Sequence, residues 1–383
     1  MSIDLAYVTP ELISWAIKRS GVRYAIIEEK LEVNRSEVLN WETGKSRPTF
    51  AKARDLADLL RIPFGYLFLS KKPATEIPLP DLRTLTGSPP KASLDFLDIL
   101  YGALTKQEWY REYIREQSAK KLRFVSSTDQ KAGVDFVATK IRETLSINLA
   151  LRDVANSWDK YLAGLIDQCE RTGILVMRSG LVGNDTRRKL SPDEFQGFSI
   201  TDDYAPLIFI NGQDFKRAQI FTLAHELAHI WIGESGICYS AEAPISRGAR
   251  NLETFCDAVA AEVLVPKAEF KEEWDNELTE LPIAKLSRRF WVSTFVILRR
   301  AVETEKITRS DYQSLVKRES ALRRAVKRGG GGGDYYKPVM TRHSNRLSKA
   351  VIRDVYQGGT LIRDGARLLD LKTQTFAKLM ERT

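Results

Sequence analysis

The stretch RAQIFTLAHELAHIWIG, residues 217–233, decides how the rest of the chain is read. It contains HELAH: His225 and His229 four residues apart, with Glu226 beside the first. On an α-helix, positions i and i+4 share a face, so both imidazoles can point at one ion. Glu226 stands about 100° further round the helix. There it can reach a water on that ion without being a ligand. Two Zn2+ ligands and a general base on one helix are the physical content of the HExxH pattern. The surrounding residues read as an amphipathic helix over roughly 214–232, ended by Gly233.

A catalytic zinc needs three protein ligands and an open position. The chain has three histidines in all, and the third, His343, lies beyond the five glycines 329–333. The third ligand is therefore expected to be a carboxylate. The run NLETFCDAVAAEVLV, 251–265, offers Glu253 and Asp257, again four apart. Glu253 can complete a His2Glu site. Asp257 can accept the N–H of a ligand imidazole, His225, and fix its tautomer. Glu262, further along the same run, is the rival for the ligand role. A mixed nitrogen and oxygen site also admits Mn2+.

The 383 residues exceed what one hydrophobic core usually spans, so several domains are expected. With 43% hydrophobic and 28% charged residues, the composition is that of a globular protein. No apolar run reaches the length of a membrane helix. The start, MSIDLAYVTPELISW, lacks the pattern of a signal peptide, so a cytoplasmic location and no membrane partner are expected. Cys169, Cys238 and Cys256 are too few and too scattered for a disulfide framework or a CxxC site and read as small buried hydrophobes. The net charge is +9, and residues 311–383 hold 16 Lys/Arg against 7 Asp/Glu. Such a basic tail attracts polyanions, among which nucleic acid is the common one.

Composition divides the chain. Residues 1–70 read as short helices, 71–92 as a proline-rich linker, and 93–172 as a helical connecting region. From Gly173 the runs ILVMR, EFQGFSI and LIFIN are β-type, and they open a metal-binding core over 173–280. EFQGFSI is placed to pair with an extended substrate as an added strand. A helical, helix-turn-helix-like region follows over 281–328, then the glycine joint 329–333 and a basic helical tail, 334–383. The segments IAKLSRRFWVSTFVILRRAVE and LIRDGARLLDLKTQTFAKLMER each pair two helices about a short turn. The expected fold class is α+β, predominantly α: a five-helix head, a minimal HExxH core with a small sheet, and a C-terminal helical region.

GILVMR, LIFINGQDFKRAQIFTLAHELAHIWIG and NLETFCDAVAAEVLVP resemble the ImmA/IrrE family of bacterial and phage metallopeptidases, a likeness that covers about residues 173–267. The resemblance assigns metal binding to His225, His229 and Glu253 and the base to Glu226. It implies zinc hydrolysis, in which the metal lowers the pKa of its water and polarises the scissile carbonyl. It also implies a repressor or other regulatory protein as substrate, for which the product of an adjacent gene is the first candidate. Tyr204, Tyr239 and Arg247 are the candidates for stabilising the oxyanion. The alternative is a DNA-binding regulator or antitoxin-type protein whose metal is structural or sensory.

Residues 23–48, RYAIIEEKLEVNRSEVLNWETGKSRP, resemble the helix-turn-helix of Cro/C1-type (XRE) repressors. The apolar Ile27, Leu31, Val38 and Trp41 and the run W-E-x-G-K-x-x-P carry the likeness. It implies double-stranded operator DNA as a partner. Arg35, Ser36 and Asn40 would face the major groove, while Tyr24, Lys45 and Arg47 would meet phosphates. Asn can read adenine and Arg guanine, and Asn34 caps a helix N-terminus that favours anions. Two departures stand out: Glu32 where the tight turn usually has Gly, and no Gln at the helix starts. A homodimer is compatible with this reading.

Overall fold

The computed structural model describes residues 4–72, 93–238, 247–274, 280–325 and 340–382. Two compact units are present, Met1–Pro78 and Leu79–Thr383. The proline-rich stretch 73–92 and the glycines 329–333 lie outside the described residues. The class is α+β and predominantly α, with one small sheet.

In the first unit, α1 (Pro10–Ser20), α2 (Tyr24–Leu31), α3 (Arg35–Glu42) and α4 (Phe50–Leu60) surround a core that includes Ile13, Ile27, Val38, Trp41 and Leu56. The expected fifth helix is a short 3-10 turn, Phe64–Phe68, between Pro63 and the extended Leu69. Five residues are too few to establish an α-helical ladder there, and the i to i+3 pattern takes its place. Asn34 caps α3 by accepting from the Glu37 N–H. Glu32 stands in the left-handed region at φ 52°, so the turn keeps its geometry without the usual glycine.

In the second unit the strands are β1 (Leu175–Ser179), β2 (Gly197–Ile200), β3 (Leu207–Asn211) and β4 (Gly236–Cys238). Their order is β1-β3-β2-β4. β1 and β3 run parallel, while β3–β2 and β2–β4 are antiparallel. This corrects the expectation for EFQGFSI: β2 is an inner strand with both edges paired, so it has no free edge for a substrate. Ser199 sits opposite Ile208 on one side and Gly236 on the other.

Helix α9 (Lys216–Ile232) lies against the sheet, and α10 (Arg247–Leu264) packs along α9. From Gln219 to Trp231 only Phe221 is not buried, so α9 is enclosed rather than amphipathic. A helix covered on all sides needs no polar stripe. Its start is held by Gln219, whose side-chain amide donates to the carbonyls of Gly212 and Asp214. Its end is Gly233 at φ 81°. The connecting region contributes α5 (Leu94–Glu116), α6 (Val134–Leu145), α7 (Leu149–Val154) and α8 (Trp158–Thr172). The core around α9 takes in Ile141 of α6, Leu162 of α8, Val259 of α10 and Ile297 of α13 (Thr294–Glu303). No described helix is long and apolar enough to cross a membrane.

A non-glycine residue held at positive φ costs roughly 1 kcal/mol or more. Glu32→Gly should therefore raise the hydrogen-exchange protection of α2 and α3 amides by up to about 1 kcal/mol. Unchanged or lower protection would mean that Glu32 is held there without strain.

Candidate metal centre

The i, i+4 spacing on α9 brings the two imidazoles together, with His225 Nε2 and His229 Nε2 3.2 Å apart. α10 delivers a carboxylate between them. Glu253 Oε2 lies 3.1 Å from His225 Nε2, and Oε1 lies 3.4 Å from His229 Nε2. A tetrahedral ion with bonds of about 2.0–2.1 Å holds its ligand atoms roughly 3.3–3.4 Å apart. The triangle therefore has the dimensions of one face of such a coordination shell. Two ring nitrogens aimed at one another cannot both be hydrogen-bond acceptors without a proton or a cation between them. Both histidines are buried, so water cannot serve that purpose freely. The donor set fits a divalent ion.

Asp257, one turn further along α10, places Oδ1 3.0 Å from His225 Nδ1. That orients the ring and leaves its Nε2 for the ion. Behind Asp257, the Arg299 guanidinium lies 3.7 Å from Oδ2. Burial pushes the His225 imidazole toward its neutral form, but Asp257 and Glu253 outweigh it and hold the pKa at about 10. Burial likewise raises Glu253, and the two histidines reverse that, holding it at about 2. Surroundings that retain a proton on a buried imidazole so strongly are suited to a cation in its place.

Glu226 projects from the same helix and is completely buried. No cation pairs with its carboxylate among the described residues, and the Ser199 hydroxyl is the neutral side chain that faces it. Burial raises its pKa, with His229, His225 and the Ser199 hydroxyl opposing. A carboxylate in this setting is a stronger base than one in water. Glu262 is engaged elsewhere: it accepts the Lys267 N–H at 3.0 Å and pairs with Arg300 at 3.1 Å. His343 is buried apart from the cluster, its pKa well lowered by burial and by Lys106 and Arg342. Among the oxyanion candidates, Tyr204 has Arg115 and Lys121 over its ring. Tyr239 lies outside the described residues, and Arg247 is described only as the start of α10.

Two glycines make the fit possible and carried no signal of their own in the sequence. A Cβ on Gly236 would stand 2.9 Å from His229 Cε1, and one on Gly197 would stand 2.6 Å from Thr222 Cγ2 and 2.8 Å from the Phe209 carbonyl. β4 and β2 can approach α9 this closely only without side chains there. A glycine inside a strand is the general mark of such an approach.

Residues 169–302 match an IrrE N-terminal-like domain. That family model, Peptidase_M78, covers the sheet, α9, α10 and the His-His-Glu cluster. The match supports the ImmA/IrrE resemblance over this stretch and marks the IrrE-like region as metallopeptidase-like. A second match, over 344–382, is to a domain of unknown function (DUF8813). No curated protein and no solved structure matches the chain.

In the head, α3 presents Arg35 and Ser36 exposed and Asn40 half-buried. The Ser36 hydroxyl donates to Asn34 Oδ1, and Arg35 lies over the Tyr24 ring. Tyr24 donates its hydroxyl to Glu42 at 2.8 Å, so it is tied within the unit. Lys45 and Arg47 are exposed, the latter over the Tyr7 ring.

Glu253→Ala should lose most of the bound metal, because two imidazoles leave the ion too open. Glu262→Gln should keep it, and metal analysis of purified protein distinguishes the two. Gly236→Ala should also lose metal while keeping its helical circular dichroism, since the added methyl displaces the His229 ring.

Proposed function

We propose that the chain is a DNA-binding regulator whose core is a zinc-dependent endopeptidase. The observation that carries this reading is Glu226: a wholly buried carboxylate with no cation pairing it, faced by the Ser199 hydroxyl and the two imidazoles, on the helix that supplies both metal-binding histidines. A purely structural metal site has no use for such a group, and burying a charge-bearing side chain with so little to compensate it is costly. Zn2+ fits two imidazoles and a carboxylate best, and Mn2+ is the second choice. Held by His225, His229 and Glu253, the ion supplies Lewis acidity toward the scissile carbonyl. Glu226 takes a proton from the attacking water and passes it to the leaving amide nitrogen. Asp257 keeps the His225 ring in register during that exchange.

The substrate class is a regulatory protein such as a repressor, as the ImmA/IrrE resemblance implies, with an adjacent gene product as the first to test. The head supports operator binding through an exposed Arg35 and Ser36 on α3, a capped helix N-terminus, and Lys45 and Arg47 for phosphates. The reading places the protein in the cytoplasm and leaves room for a homodimer on a two-fold operator.

Glu226→Gln keeps the size of the side chain and the three metal-binding groups. Metal content, folding and DNA binding should match the parent, while cleavage of the regulatory protein should fall by about 100-fold or more. If Glu226→Gln regulates as well as the parent and His225→Ala does not, the metal is structural or sensory and the peptidase reading is wrong. On DNA, Arg35→Ala should weaken operator binding by about 1–3 kcal/mol and spare random duplex. Lys45→Ala should weaken both alike and flatten the salt dependence. A parent chain without salt-sensitive DNA binding would leave the head as a protein-contact module.

A further inference from the structure

Three helix pairs in this chain share one register. They are α2–α3, α12 (Glu280–Arg289) with α13, and α16 (Ile362–Leu368) with α17 (Thr373–Met380). Each turn is made by a non-glycine residue in the left-handed region: Glu32 at φ 52°, Trp291 at φ 54° and Asp370 at φ 51°. In each, the next residue donates its N–H to the carbonyl five residues back. Val33 bonds Glu28 at 3.2 Å, Val292 bonds Ser287 at 3.1 Å, and Leu371 bonds Ala366 at 2.8 Å. The residue before the turn is buried in all three: Leu31, Phe290 and Leu369. So is the residue six after it: Val38, Ile297 and Phe376. The same holds nine after it, at Trp41, Arg300 and Leu379.

What distinguishes the three is the outer face of the second helix. In α13 that face is used for packing: Thr294 is buried, Phe295 is half-buried, and Arg299 reaches Asp257 behind the metal centre. In α17 the equivalent positions are Thr373, Gln374 and Lys378, and all three are exposed. They match Arg35, Ser36 and Asn40 of α3 position for position.

The third pair is also braced as a reading unit. α15 (Asn345–Tyr356) packs across α16 at Gly365, where a Cβ would stand 2.7 Å from Val355 and 3.0 Å from Phe376. The unit is anchored to the body through α15 and the turn, and not through the exposed positions of α17. Arg346 donates to the Tyr110 hydroxyl at 2.6 Å and to the Glu170 carbonyl at 2.8 Å. Lys106 pairs with the turn residue Asp370 at 3.1 Å. Residues 344–382 carry eight Lys/Arg against four Asp/Glu. Arg363 and Arg367 on α16 and Lys372 at the start of α17 are exposed as well.

We propose that residues 344–382 form a second duplex-DNA-binding unit that inserts α17 in the major groove, with Gln374 and Lys378 meeting base edges. Gln can pair bidentately with adenine, and Lys can donate to guanine. Arg363, Arg367 and Lys372 supply the phosphate contacts that fix the helix in register. Single-stranded or double-stranded RNA fits less well, because a helix of this kind needs the wide major groove that A-form duplexes lack. The inference rests on reading the head as a DNA-binding helix-turn-helix, and not on the peptidase reading.

The test uses the full chain with its head silenced by Arg35→Ala and Lys45→Ala. Binding to random-sequence DNA duplexes is followed by fluorescence anisotropy across a salt series. The silenced chain should still bind, with affinity falling steeply as salt rises. Adding Lys378→Ala should reduce the salt slope by about one. Adding Gln374→Ala as well should abolish preference for duplexes selected on the silenced chain, a loss of roughly 5- to 100-fold. Both substitutions are at exposed helical positions where Ala is favourable, and equal circular dichroism and metal content confirm that the fold is kept. The proposal is overturned if the silenced chain shows no salt-sensitive duplex binding, if the α17 substitutions leave binding unchanged, or if an RNA duplex of the same sequence competes equally.

Discussion

The second unit is organised around two imidazole nitrogens held 3.2 Å apart inside a helix that is enclosed by sheet and helices. Two such atoms repel as paired acceptors, and only a cation or a shared proton makes the arrangement stable. Everything near them answers that demand. Glu253 closes the triangle, Asp257 fixes one ring, and Arg299 sits behind Asp257. The glycines at 197 and 236 let two strands press against the same helix. Burial is what makes these groups act strongly on one another, since charges in a medium of low polarity are poorly screened.

Much of this centre was legible because helical spacing is strict. A spacing of four from His225 to His229, and of four from Glu253 to Asp257, constrains where side chains can point before any tertiary contact is known. The scarcity of histidine also helped, since it turned the search for a third ligand toward carboxylates. The choice between Glu253 and Glu262 was not decided by spacing. It is decided by Arg300, a buried cation from another helix that engages Glu262 and carries no such label in the sequence.

The sheet was less legible. β-type runs were identifiable from composition, but strand order depends on long-range pairing that no local pattern records. EFQGFSI read as a free edge because β4 is only three residues long and sits beyond α9 in the chain. The enclosure of α9 was hidden for a similar reason: beyond the sheet and α10, part of its covering comes from α6 and α8, in a region whose sequence is polar and without motifs. In the head, the departure at Glu32 turned out to be a house habit of this chain. Trp291 and Asp370 make the same turn without glycine.

That Glu253 comes from α10, and the histidines from α9, has a consequence for the lifetime of the protein. An ion gripped by both helices fastens them to each other, and it binds the folded chain in preference to the unfolded one. At a free concentration 100 times its dissociation constant, such a ligand adds about 2.7 kcal/mol to the stability of the fold. Starvation for the metal removes that amount and raises the unfolded fraction about 100-fold. Cellular proteases act on this fraction. With such an ion bound, abundance of the chain would be coupled to metal supply, and a cell depleted of the ion would lose the protein itself.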